Sequence, residues 1–180
     1  MTLTLTELGA VVSEIAGVVN GGTIQGIDQP SPSTVDVKVA TTTGARTIRF
    51  NIRPGLSRVH LLQTHETVSS AGYSTFAERA RGLLIGGFIE RVAMQYGDRV
   101  AALAVRTGEG PRTLLFECSG HHPNLFVLDE RRLILAVLGQ TTSRKRHLAV
   151  GHVYEKPLRH ATDGIDTLRF VSAPGHLSEA

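Results

Sequence analysis

The sequence predicts an α+β fold: a duplicated helix-strand-strand-strand unit forming an antiparallel β-sandwich with flanking helices. Three observations carry the expectation. The first is an internal repeat, in which residues 84–127 restate residues 19–61. Gly21-Gly22 falls on Gly86-Gly87 and Ile24 on Ile89, at an offset of 65. After a one-residue insertion the offset is 66, so Thr47 falls on Thr113, Phe50 on Phe116, Pro54 on Gly120 and Arg58 on Asn124. A long period present twice indicates a duplicated supersecondary unit and not a solenoid. The second is period-two alternation, as in Val35, Val37 and Val39 between Asp36 and Lys38. Alternation of this kind marks half-buried, antiparallel strands. The third is a helical pattern followed by Gly-Gly in each copy.

Taken in order, Leu8, Val11, Val12, Ile15, Val18 and Val19 recur at three- and four-residue steps and predict a helix over 6–19, with Thr6 as N-cap. Gly21-Gly22 stops it. Thr23–Gln29 reads as a strand, Pro30-Ser31-Pro32-Ser33 as a turn, and Val35–Val39 and Thr47–Asn51 as the next strands around Gly44-Ala45-Arg46. Val59–Gln63 is a short extended segment, and the small, polar stretch 64–72 a loop joining the copies. The second copy repeats the scheme: helix Thr75–Leu84, then strands Phe88–Gln95, Val100–Arg106 and Arg112–Cys118. Asn124–Leu128 and Leu133–Leu138 add two more strands. Residues 1–157 thus form the expected domain, with repeats at about 6–63 and 75–138, and 158–180 a partly flexible extension.

Composition narrows the function classes. Hydrophobic residues at 41% and charged residues at 19% of 180 fit a soluble globular chain with a buried core. With 5% aromatics and no Trp, a broad stacking platform for single-stranded nucleic acid is not expected. A net charge of +3 is compatible with a phosphate partner without demanding one. The single cysteine, Cys118, sits in an apolar strand and excludes an internal disulfide framework, which fits a reducing, cytoplasmic setting. The first residues lack a basic n-region and carry Glu7 and Glu14, unlike a signal peptide, and no apolar run approaches bilayer length.

The places where the copies differ are the candidates for chemistry. Asp98-Arg99 stands where the first copy has Pro32-Ser33-Thr34. An arginine fork can grip a phosphate or a base edge, with the aspartate orienting it; the competing reading is a solvated turn. Gly120-His121-His122-Pro123-Asn124 replaces Pro54-Gly55-Leu56-Ser57-Arg58 and offers several donors, unless Asn124 merely bonds backbone groups. Arg144, Lys145 and Arg146 form a basic run suited to phosphate contacts or to a solvated loop. His60 and His65, and His147 and His152, are each five apart, which fits no helical metal motif, so no metal and no cofactor are expected. No phosphate-binding loop, dinucleotide fingerprint or nucleophile elbow is present.

These elements, in order and together, resemble the N-terminal domain of the NFACT family, also called the fibronectin-binding protein A family. Its members include the ribosome quality-control factor RqcH and its eukaryotic counterpart NEMF. The matching stretches are the opening helix with its Gly-Gly stop, Gln29-Pro30, Arg58-Val59-His60-Leu61, the Gly86-Gly87-x-Ile89 turn and Gln95-x-Gly97-Asp98-Arg99-Val100. Gly120–Val127 and Arg146–Pro157 complete the set. The resemblance implies a fold like the N-terminal domain of formamidopyrimidine-DNA glycosylase. It also implies a non-catalytic tRNA-binding module in ribosome quality control, with the large ribosomal subunit reached through a partner chain. In RqcH-like members the Asp-Arg pair of this domain is implicated in recognising tRNA, and the resemblance maps that pair onto Asp98 and Arg99. SSAGYSTFAERARGLL replaces the family's Pro-rich linker and basic helix, and Pro123 stands where a serine is usual. Two alternatives stand beside this reading. A glycosylase-like enzyme would need an N-terminal proline amine and an adjacent glutamate, where this sequence has Met1-Thr2-Leu3. A protein-interaction or adhesin module is the other.

Overall fold

A computed structural model describes residues 2–63, 75–95, 98–119, 121–139 and 146–157. Helix α1 (Leu5–Val19) buries Leu8, Val12, Ile15 and Val19 along one face. It begins at Thr4, earlier than the apolar pattern alone indicates. The Thr4 hydroxyl accepts the Glu7 N–H at 3.2 Å, and the Glu7 carboxylate accepts the Thr4 N–H at 2.8 Å. That reciprocal capping box satisfies two otherwise orphaned donors and outranks Thr6.

The strands are β1 (Thr23–Ser31), β2 (Thr34–Thr41), β3 (Gly44–Asn51) and β4 (Arg58–Leu61) in the first copy. Helix α2 (Thr75–Leu84) opens the second, followed by β5 (Phe88–Met94), β6 (Val100–Thr107), β7 (Gly110–Glu117), β8 (Asn124–Asp129) and β9 (Ile134–Val137). The first copy therefore carries four strands after its helix, because Arg58–Leu61 pairs with β3 along its whole length, and the second carries these four and a fifth, β9. The two β-turns at Thr41–Gly44 and Thr107–Gly110 are built alike. In each the threonine hydroxyl bonds the glycine carbonyl, at 2.7 and 2.8 Å, and the glycine takes a positive φ.

The repeat predicts a sandwich of two antiparallel sheets packed on each other; the described strands instead form one antiparallel sheet in the order β4-β3-β2-β1-β5-β6-β7-β8-β9. The first strands of the two copies zip together through a reciprocal set of bonds. Ile24 N–H donates to the Gly87 carbonyl at 2.9 Å, and Ile89 N–H to the Gly22 carbonyl at 2.8 Å. Gly21 N–H donates to Ile89, and Gly86 N–H to Ile24, both at 2.8 Å. Equivalent residues exchange equivalent bonds, so a pseudo-twofold axis runs through this junction. The glycines permit it. A Cβ on Gly22 would lie 2.6 Å from the Val39 Cγ1 and 2.9 Å from the Ala40 carbonyl oxygen; on Gly87 it would lie 2.5 Å from Val105 Cγ1 and 2.8 Å from the Leu84 carbonyl oxygen. Gly87→Ala is therefore expected to lower stability by about 1–3 kcal/mol, as forced overpacking does. Thermal denaturation checks it, and an unchanged melting temperature would contradict the tight junction.

The sheet folds over at β1–β5. Phe50 on β3 and Phe116 on β7 meet edge to face with ring centroids 5.6 Å apart. Five strand spacings of about 4.8 Å would hold them roughly 24 Å apart in a flat sheet. The core lies between the facing halves, and each helix packs across the axis, α1 on β5 and α2 on β1. The one-residue insertion between the copies falls in the β5–β6 connection, which carries Asp98 and Arg99.

Candidate nucleic-acid interface

The β5–β6 and β7–β8 connections lie side by side at one end of the sheet. Cys118 N–H donates to the Arg99 carbonyl at 2.8 Å. The same bond exists in the first copy, from Ile52 N–H to the Ser33 carbonyl, also at 2.8 Å. Arg99 thus performs with its backbone what Ser33 performs with its own. Asp98 shapes the turn, its Oδ1 accepting the Arg99 N–H at 2.9 Å. The Arg99 side chain forms no ion pair among the described residues. His121 and His122 are exposed, and Pro123 is buried behind them.

A sequence profile of the NFACT N-terminal and middle domains matches residues 4–172 of this chain. The chain belongs to the NFACT family. It is 24% identical over 156 residues to the Rqc2 homolog RqcH of Streptococcus suis, covering 82% of this chain and 28% of that protein. Among solved structures it is similar to the N-terminal domain of the fibronectin-binding protein PavA from Streptococcus pneumoniae. There the TM-score is 0.75 and the identity 26%, over 84% of this chain and 63% of the other. The fibrinogen-binding protein of Staphylococcus aureus gives a TM-score of 0.72 at 26% identity, over 85% and 56%. The N-terminal part of the fibronectin/fibrinogen-binding protein of Streptococcus suis shares the fold, with a TM-score of 0.74 at 23% identity over 83% and 59%. The chain spans less than two thirds of each of these relatives.

Within this NFACT domain the remaining candidates part ways. Asn124 is buried, and its amide is committed to the backbone. Its Oδ1 accepts from Gly139 N–H at 2.7 Å and Leu125 N–H at 2.9 Å, and its Nδ2 donates to the Gly139 carbonyl at 3.3 Å. The backbone-bonding reading therefore replaces that of a ligand contact: Asn124 ties β8 to the end of β9. Arg144 and Lys145 lie outside the described residues. Arg146 is not a solvated backbone contact either. It grips Glu117 with both terminal nitrogens, at 2.8 and 3.0 Å, and donates to the Glu155 carbonyl at 2.9 Å. The Tyr154 hydroxyl donates to the same Glu117 carboxylate at 2.5 Å. The physical reason is the carboxylate, whose side chain is only 2% exposed and requires a charged partner.

This clamp was not anticipated from sequence. Its signal was the acidic residue in Leu114-Leu115-Phe116-Glu117-Cys118, where the first copy has Asn51. It holds residues 146–157 across the outer face of the second half, where Leu148 and Tyr154 cover Val100, Leu115 and Phe126. Burial raises the Tyr154 phenol far above its ordinary value, and the Glu117 charge adds to this, so the phenol stays a donor. Burial opposes the Arg146 charge, but the Glu117 hydrogen bonds and charge outweigh it and raise the pKa. Burial likewise pushes the Cys118 thiol up, which makes it an inert core residue.

The outer face of the first half differs. The row Ala102-Leu115-Phe126 in the second copy is Asp36-Arg49-His60 in the first. Arg49 holds Asp36 through two hydrogen bonds of 2.7 Å. His60 has a buried Nδ1 with no partner among the described residues. Burial, then the charges of Arg58 and Arg49, lower its pKa, while Asp36 opposes them. A histidine with a folded pKa below its unfolded value stabilises the fold fully only above the unfolded value, about 6.5. That contribution is lost as pH falls from there toward the folded pKa. Melting temperatures followed from about pH 7.5 to 5 are expected to fall less in His60→Gln than in the wild type; parallel curves would refute the assignment.

Among the described residues no group of three His, Cys, Asp or Glu is placed to hold a metal, and no helix is long and apolar enough to cross a membrane.

Proposed function

We propose that this NFACT domain is a non-catalytic RNA-binding module that recognises tRNA in cytoplasmic, ribosome-associated quality control, with Asp98 and Arg99 as its primary contacts. The observation that carries the reading is the equivalence of Arg99 and Ser33. Both backbones make the same 2.8 Å bond to the following strand connection, so the fold does not require an arginine there. A guanidinium that the fold does not need, on a connection whose backbone bonds the neighbouring β7–β8 connection, is suited to a phosphate or base edge. The membership in the NFACT family and the likeness to RqcH support the same assignment. Arg144 and Lys145, which lie outside the described residues, are read as phosphate contacts from their charge in the sequence alone.

Titration of tRNA followed by fluorescence anisotropy tests the reading. Binding is expected to weaken steeply between about 50 and 200 mM salt, because each neutralised phosphate releases counterions. Absence of binding at the lower salt concentration would refute it. A pull-down enriched in large-subunit proteins that survives nuclease treatment would replace RNA with direct protein contact.

A further inference from the structure

The duplication places a second basic element at the same edge. The β3–β4 connection of the first copy, 52–57, corresponds to 118–123 in the second, and the two loops meet where the pseudo-twofold axis leaves the molecule. The Ser57 hydroxyl lies 3.6 Å from the Cys118 Sγ and donates to the Ser119 carbonyl at 3.3 Å. The Cys118 thiol donates back to the Ser57 carbonyl at 3.4 Å. Ile52 reaches across to within 3.0 Å of where a Gly139 Cβ would stand. Since Cys118 N–H also bonds the Arg99 carbonyl, two hydrogen bonds link the backbone beside Arg58 to that of Arg99.

Arg53 and Arg58 bracket this loop, and both are exposed. Neither is needed to build it. The turn is made by Arg53 N–H donating to the Asn51 Oδ1 at 2.7 Å, by Leu56 N–H donating to the Arg53 carbonyl at 3.0 Å, and by Gly55 at φ +75°. The equivalent positions in the second copy are Ser119 and Asn124, so an arginine is not a requirement of the fold at either place. Among the described residues neither guanidinium forms an ion pair. Two cations without an ion-pair partner among the described residues, on a rim shared with Arg99, fit a polyanion that extends past a single contact point.

We infer that Arg53 and Arg58 bind backbone phosphates of the same RNA that Arg99 contacts, so that the binding edge is assembled from both copies. The inference rests on the RNA-binding reading above. Its test compares Arg53→Gln/Arg58→Gln with Arg99→Ala in tRNA titrations over a range of salt. The double variant is expected to flatten the plot of log affinity against log salt by about 1.5, from two lost phosphate contacts. At about 0.1 M salt that corresponds to a loss of roughly ten- to thirtyfold, similar for different tRNAs. Arg53→Lys/Arg58→Lys is expected to keep most of the slope, which a packing defect would not. If Arg99→Ala weakens binding while the double Gln variant keeps the wild-type slope, the inference is overturned and the RNA reading stands. If the wild type binds no tRNA, both fall.

Discussion

Glu117→Ala is expected to destabilise the domain by about 3–5 kcal/mol, the range seen when one partner of a buried ion pair is removed. The substitution strands two donors at once. Arg146, whose side chain is 13% exposed, loses both bonds to the carboxylate, and the buried Tyr154 hydroxyl loses its acceptor. The expected fall in melting temperature is on the order of 10 °C. Urea denaturation gives the free energy, and a loss under about 1 kcal/mol would show that the pair contributes little. A second readout localises the effect. The Tyr154 N–H bonds the Arg132 carbonyl at 2.8 Å, and the Arg132 guanidinium bonds the Tyr154 carbonyl at 2.7 Å. Amide exchange along 146–157 is therefore expected to accelerate ahead of exchange in β6 and β7. Glu117→Ala/Arg146→Ala is expected to recover part of the loss, because it removes the uncompensated charge.

Arg99→Ala is expected to weaken tRNA binding roughly tenfold or more, the equivalent of losing one charge-assisted contact of about 1.5–3 kcal/mol. Stability is expected to change by less than about 0.5 kcal/mol. The two halves of that expectation come from one comparison. Ser33 makes the same backbone bond in the first copy without a long side chain, so truncating Arg99 leaves the turn intact. Asp98 is a less clean probe, since its carboxylate accepts the Arg99 N–H and holds the turn itself. Wild-type titration curves for Arg99→Ala would remove Arg99 from the site. A large loss of stability would instead make it a structural residue and leave Arg53 and Arg58 as the contacts.

Local chemistry made much of the fold legible. The apolar spacing of α1, the Val35-Val37-Val39 alternation and the paired Gly-Gly stops report contacts within a few residues, and those periods are written directly in the chain. The start of α1 was less legible, because three threonines compete for the cap and only the Thr4–Glu7 reciprocity decides among them. The single sheet was not legible at all. Gly22 and Gly87 read equally well as helix stops and as points of close strand approach, and only their long-range neighbours distinguish the two uses. The site shows the same division. Asp98-Arg99 stood out as a difference between the copies. Arg146 and Asn124 carry the residue types of a binding loop, but burial against Glu117 and Gly139 turns both to structural use.

The sequence by itself determined the duplication, the element types and the difference between the copies at Asp98-Arg99, all of which depend on spacing along the chain. The differences between the copies, at Asp98-Arg99 and at 120–124, point to one asymmetric edge and not to two equivalent sites. Only the tertiary structure decided how the copies meet. It folds one sheet about a pseudo-twofold axis, brings Phe50 onto Phe116, and lays the loop of Arg53 and Arg58 against that of Cys118 and Ser119. Residues about 60 positions apart become neighbours through hydrogen bonds and packing that leave no periodic trace in the sequence. Which charge is buried in a clamp and which faces solvent is settled by the same long-range contacts.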